Sequence, residues 1–290
     1  MIDLKQNVQY VRGVGPKKVK LLNNLGIYTL GDLITYFPRE YEDRSIEKKI
    51  IEVLDGEEVT IVGRVAADVT INRVRKNMTI LKTIIDDGSG RCIVTWFNQN
   101  YIKEELKKGE IYKFYGKVNR KFNSIEMTAP VFDKLGVNKN TGKIMPIYPS
   151  TYGLTQNSIR SLVENSLKMV EKELEETLPK YLMEEYNLED LKTSLNQIHF
   201  PKNESNRLKA RKRLVFEELL TLQLALLELK SQTEINEGNS FSKDVKMSEI
   251  INSIPFKLTK AQLRVLEEID KDMESTKAMN RLLQGDVGSR

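Results

Sequence analysis

Between residues 57 and 130 the hydrophobic period of the chain becomes two, and no other feature narrows its possible folds so far. Val59, Ile61, Gly63 and Val65 alternate with other residue types, the pattern of a strand with one face in a core. Met78, Ile80, Lys82 and Ile84 form a second alternating run, closed by the turn signal Asp86-Asp87-Gly88-Ser89-Gly90. Cys92 to Phe97 reads as a third strand and Asn98 to Leu106 as a short helix. Ile111 to Val118 and Ser124 to Ala129 read as two more strands. Three strands, a helix and two strands is the order of an OB-fold, a five-stranded barrel that commonly takes oligonucleotides. Gly63 and Gly116 are expected to ease strand bending at barrel corners.

Trp96 and Phe97 are adjacent on the third strand and must point to opposite faces. Strand alternation in the fourth must likewise bury some of Tyr112, Phe114 and Tyr115. Phe97 and Tyr101 are the candidates for the rim, where nucleic-acid bases stack on exposed rings. Core packing is the alternative for each ring taken singly.

Ahead of the barrel, Gly13-Val14-Gly15-Pro16 reads as a loop opening a helix, with proline in the first turn. Val19, Leu22 and Leu25 share a face, Gly26 closes that helix, and a second short helix runs to Phe37 before Pro38. This helix-hairpin-helix-like pattern would expose backbone N–H groups of Gly13, Gly15 and Lys17 to an anion. A hairpin used only for packing is the alternative. Gly136, Asn138, Asn140, Gly142, Pro146, Pro149 and Gly153 mark residues 131 to 154 as a linker. From Thr155 the chain turns helical, and a long helix is expected from about Ser205 to Thr233. The fold class is α+β and multidomain. The expected divisions are 1–50 helical, 51–135 the barrel, 136–240 linker and helices, and 241–290 the incomplete start of a RecA-like α/β domain.

Net charge is +5, and its placement says more than its size. Residues 60 to 130 carry 13 Lys/Arg against 7 Asp/Glu, and residues 1 to 50 carry 9 against 6. Residues 131 to 290 balance at 24 each. A basic surface confined to the N-terminal part suits phosphate-backbone binding by counterion release, and it includes Arg73, Arg75 and Lys76. An acidic protein docking on the barrel is the rival reading. One cysteine and one histidine make a zinc site of Cys and His ligands a poor fit. No metal or catalytic residue is expected, His199 is expected to be structural, and the lone Cys92 fits a reducing, cytoplasmic setting. No apolar run approaches the roughly 20 residues of a membrane span.

The last residues, Arg281-Leu-Leu-Gln-Gly-Asp-Val-Gly-Ser-Arg290, begin like a phosphate-binding loop, Gly-x-x-x-x-Gly-Lys-Ser/Thr. Gly285 supplies the first glycine, and Arg290 stands where the second belongs. The expectation is that these residues hold no β/γ-phosphate or Mg²⁺, so ATP binding and hydrolysis are not expected of them.

In order along the chain, Gly13-Val14-Gly15-Pro16, Phe37-Pro38-Arg39-Glu40-Tyr41, Pro146-Ile147-Tyr148-Pro149, Ile198-His199-Phe200-Pro201, the stretch from Ala210 to Leu220, Phe256 to Gln262 and Leu282 to Ser289 resemble the RecG family of ATP-dependent DNA helicases. The likeness covers the front part of that family's architecture. It implies an OB-like wedge that seats a fork junction, with Phe97 and Tyr101 as the pair of rings capping parted bases. It also implies an adenine-reading glutamine at Gln262 near Phe256, with Gly285, Gly288 and Ser289 in the phosphate loop. The partner implied is branched DNA, bound by a monomer in the cytoplasm at the nucleoid. ATP and Mg²⁺ are cofactors of the complete family member, with none expected for this chain. The front end of an intact helicase is the remaining alternative.

Overall fold

Alternation along five strands folds into a ring of pairings that returns to its start. The computed structural model describes residues 3–75, 78–121, 124–234, 240–241, 251–277, 279 and 281–285. Strand β2 (Glu58–Val65) follows β1 (Glu40–Asp43), and β3 (Thr70–Arg75), β4 (Met78–Asp86) and β5 (Arg91–Phe97) come next. After the short helix comes β6 (Ile111–Lys121), then β7 (Ser124–Thr128) and β8 (Val131–Lys134). β2 pairs with β4, β4 with β5, β5 with β7, β7 with β6, and β6 with β2 again. Only β5–β7 is parallel. Register sets buried residue against buried residue, as in Ile61↔Phe114, Leu81↔Trp96 and Val94↔Met127. These side chains fill one core, each contributing roughly 1.5–3 kcal/mol by leaving water.

The five strands read from the sequence are present as β2, β4, β5, β6 and β7, and two strands are added to them. β3 pairs with the first half of β4 as a protruding ribbon, and β8 pairs with β6. The helix expected over Asn98 to Leu106 is shorter, α3 (Ile102–Glu105) in chain order. Asn98 sits at φ 55, a left-handed conformation that cannot belong to a helix. The expected linker 131–154 instead carries β8 and β9 (Ile144–Ile147), the latter paired antiparallel with β1. Its glycines serve turns: Gly136 and Gly142 lie at φ 88 and 71. Asp133 then accepts hydrogen bonds from the amides of Asn140 and Thr141, at 2.6 and 2.8 Å.

A second core joins parts of the sequence far apart. α1 (Pro16–Asn23) and α2 (Leu30–Ile34) pack with α4 (Gln156–Val170) and α6 (Leu191–His199), with α5 (Lys180–Glu185) between the latter two in sequence. Leu22, Ile27, Leu30 and Leu33 meet Ile159, Leu162, Val163 and Leu195 there. Thr29 and Asp32 close a reciprocal capping box on α2. Residues 1–50 and the helices after 155 therefore share one interior. His199 lies wholly buried in it, between the Tyr148 hydroxyl (2.9 Å) and the Ile34 carbonyl (2.8 Å).

The chain divides into a unit ending at Leu214 and another from Val215. α7 (Glu204–Glu234) starts in the first, where Ala210 and Arg213 are buried and Arg213 meets Glu176 at 2.5 Å. In the second, Leu219, Leu222, Leu226 and Leu229 of the same helix are exposed. α8 (Lys260–Glu274) is a second long helix among the described residues of that unit. The strand expected over Met279 to Gln284 is not formed by the described residues there. A strand of a parallel sheet needs a neighbour to pair with, and none is paired here.

Candidate nucleic-acid interface

Pairing decides which side chains β3, β4 and β5 present outward. Opposed residues share a face, so Asn72, Ile80 and Phe97 lie in one row across the three strands. Thr70, Lys82 and Thr95 make the next row. Trp96 points the other way and is 1% exposed, its indole N–H donating to the Pro130 carbonyl at 2.9 Å. Its ring packs edge-on against Phe132. Phe97, one residue on, is 39% exposed.

Chain geometry after β5 sets the second ring. The Asn98 amide donates to the Thr79 carbonyl (2.9 Å) and the Thr79 amide to Asn98 Oδ1 (2.8 Å). This double clasp fixes the left-handed turn, and Tyr101 then caps α3 at 54% exposure. Its hydroxyl donates to Gln99 Oε1 at 3.0 Å, while Ile102 behind it is fully buried. At the opposite end of β4, burial alone would raise the Asp87 carboxyl. Hydrogen bonds from Ile50, Ser89 and Gly90 outweigh it and hold the group below the usual carboxylate range. That turn pins β4 to β5. The result is a strand face carrying the exposed Phe97 and an exposed Lys82 with no ion-pair partner among the described residues, followed in the chain by the exposed Tyr101. Such a face can stack bases and meet phosphates.

Arg73 is exposed but pairs with Thr79, on the pleat side opposite Asn72 and Phe97. Arg75 stands opposite Met78 across a bulge, and Lys76 lies outside the described residues. The glycine loop belongs to the helical frame. A Cβ on Gly13 would sit 3.5 Å from Leu162 Cδ2, and Asn165 Nδ2 donates to the Arg12 carbonyl at 2.8 Å. Gly15 and Lys17 occupy the open side of the loop, with Gly15 as the helix cap. Sequence reasoning missed Asn98 and Lys82. An asparagine directly after a strand is a recognisable left-handed turn signal, whereas the register that exposes Lys82 is not written locally.

Of the residues that the resemblance assigns to a nucleotide, Phe256, Gln262 and Gly285 are described. Gln262 Oε1 accepts from the Thr259 amide at 2.8 Å, and the Thr259 hydroxyl accepts from the Gln262 amide, a helix-capping box. Its sequence signal, Thr-x-x-Gln ahead of a helix, was legible. Phe256 is 64% exposed, and a Cβ on Gly285 would meet nothing within 4 Å. Gly288 and Ser289 lie outside the described residues. No group of three His, Cys, Asp or Glu among the described residues is placed to hold a metal ion. No helix among them is long and apolar enough to cross a membrane.

Fold and exposed rings define a class: an OB-like β module seated on a helical frame. The RecG wedge domain family matches residues 7–170, the stretch that builds the β module and most of the frame's core. The chain belongs to that family. It is 40% identical to the ATP-dependent DNA helicase RecG of Thermotoga maritima, over 99% of this chain and 37% of that protein. With the Bacillus subtilis protein of the same name it shares 33% identity, covering 98% of this chain and 41% of the relative. The chain thus spans about two fifths of the length of these relatives. A solved structure described as RecG bound to three-way DNA junction superposes over the whole chain with a TM-score of 0.81 and 37% identity, covering 40% of that protein.

Proposed function

We propose that this chain supplies the branch-point-binding part of a RecG-type DNA helicase, acting on forked or three-way DNA in the cytoplasm. The observation that carries this reading is the outward Phe97, held at the end of β5 beside the buried Trp96 and followed by the exposed Tyr101. We read the closed ring of pairings as a five-stranded OB barrel, a fold whose second and third strands commonly bind oligonucleotides. In that scheme β4 and β5 are those strands, and the β3–β4 ribbon extends beside them. Base stacking on an exposed ring is worth roughly 1–3 kcal/mol per base and ignores base identity, which suits recognition of a junction rather than a sequence. The name shared by the relatives supports the reading, as does the solved relative with its junction. In the complete helicase, ATP and Mg²⁺ would drive movement. The second unit is read as the entrance to a motor domain, and the protein as a monomer.

Fluorescence anisotropy of labelled three-way and linear DNA, with the wild-type chain and a Phe97→Ala/Tyr101→Ala variant, tests the reading. Preference for the three-way substrate, reduced in the variant, is the expected result. Equal, weak binding of both by the wild type would remove the reading.

A further inference from the structure

Two grooves on the first unit lie side by side. One, of ≈ 830 Å³, contains Tyr101, Lys107 and Lys134. The other, of ≈ 590 Å³, lies between the segment around Lys143 and helix α4. Lys139, Asn140 and Asn157 line both, so the two are neighbours, with Tyr101 on the first and α4 on the second.

The two grooves differ in charge. In the first, the cations face Glu105, Glu110 and Asp133, and Lys134 is paired to Glu110 at 2.8 Å. The second is lined by Lys139, Lys143, Arg160 and Lys168 with one carboxylate, Glu164, which Lys168 meets at 2.6 Å. Lys139 and Lys143 are exposed and have no ion-pair partner among the described residues.

These cations stand on built backbone. Besides the two amides already described, the Thr141 hydroxyl donates to Asp133 at 3.0 Å, and Arg44 Nη1 donates to the Asn140 carbonyl at 2.7 Å. The Gly142 amide donates back to the Arg44 carbonyl at 2.9 Å. Arg160 is half-buried, its Nε donating to the Pro146 carbonyl (2.9 Å) and its Nη1 to Asn157 Oδ1 (3.0 Å). Burial, then the nearby Arg44, disfavours the charge on Arg160, with Glu42 opposing. A cationic groove next to one that holds an aromatic ring is an arrangement that tracks a single strand, rings taking bases and cations taking phosphates.

We propose that the groove of Lys139, Lys143, Arg160 and Lys168 holds the phosphodiester backbone of a DNA strand leaving the Tyr101 end of the β module. This rests on the proposed function for the origin of that strand. The test compares the full wild-type chain with a Lys139→Gln/Lys143→Gln variant in salt-titrated binding to three-way and linear DNA. Both lysines are exposed and unpaired, so the melting temperature should be unchanged. Two lost phosphate contacts should lower the slope of log K against log salt by about 1.4–1.8, which at about 0.1 M salt is a loss of roughly 25- to 60-fold. The ratio of three-way to linear affinity should fall with it, because linear DNA offers no parted strand to the groove. An unchanged slope overturns the proposal. So does a variant that keeps its DNA binding but loses polyglutamate binding, since the groove would then serve an acidic protein. Equal wild-type affinity for the two DNAs counts against the proposed function, while the slope comparison still decides the groove.

Discussion

Lowering the pH should loosen the helical frame through one side chain, because the sequence contains a single histidine. The Ile34 carbonyl can only accept, so His199 Nε2 carries the proton there, and Nδ1 accepts from the Tyr148 hydroxyl. Both bonds suit the neutral ring. Burial lowers the pKa of His199 to about 4, with the Ile34 carbonyl pulling weakly the other way. The unfolded value is about 6.5. A histidine depressed in the fold contributes stability that is fully present above the unfolded pKa. That contribution is lost as pH falls from about 6.5 toward 4. Integrating the linkage between about pH 7.5 and 5 gives a loss of about 2 kcal/mol, most of it below pH 6.5. Urea denaturation of the wild type, followed by circular dichroism at intervals across that range, reads the loss directly. Most carboxylates stay ionised in this window, so the slope belongs to His199. A His199→Gln variant should be less stable at neutral pH and lose most of the slope. If it does not fold, the single imidazole resonance of the wild type gives the pKa by NMR. A flat stability profile, or a resonance titrating at or above 6.5, would refute the argument.

Two further outcomes follow from the β module. Trp96→Ala should cost about 3–5 kcal/mol by opening a cavity between Phe114 and Phe132, while Phe97→Ala on the outer face should cost well under half of that in the same calorimetric melt. Gly116→Ala should cost roughly 1–3 kcal/mol by overpacking, since its Cβ would lie 3.2 Å from Pro130 Cα and 3.3 Å from Met127 Cγ; chemical denaturation measures it, and a neutral result would show that Pro130 yields.

The glycines illustrate what was legible and what was not. The sequence pointed to Gly63 and Gly116 as corners for strand bending, yet what their missing side chains provide is room for Ile85 and Pro130. Strands β2, β4, β5, β6 and β7 could be read because each alternates within a few residues and is bounded by turn residues. The strands Glu40–Asp43 and Val131–Lys134 are short and carry charge. Their apolar partners lie in other segments, Ile147 opposite Glu40 and Phe114 opposite Phe132. Pairing of that kind is a tertiary fact, so no local period announces it. The same holds for the core that joins Leu22 to Leu162. Alternation gave that Trp96 and Phe97 face opposite ways but not which of them turns outward, and Lys143 and Arg160 are brought to one groove from a stretch read as linker and from α4.

The central claim is that Phe97 and Tyr101 stack on bases where the strands part. A fluorescent adenine analogue at the branch position of a three-way DNA tests this at saturating protein, where affinity no longer matters. Stacking on a ring quenches such an analogue, so the wild-type complex should emit less than the complex of the Phe97→Ala/Tyr101→Ala variant. Equal emission from the two saturated complexes would contradict the account.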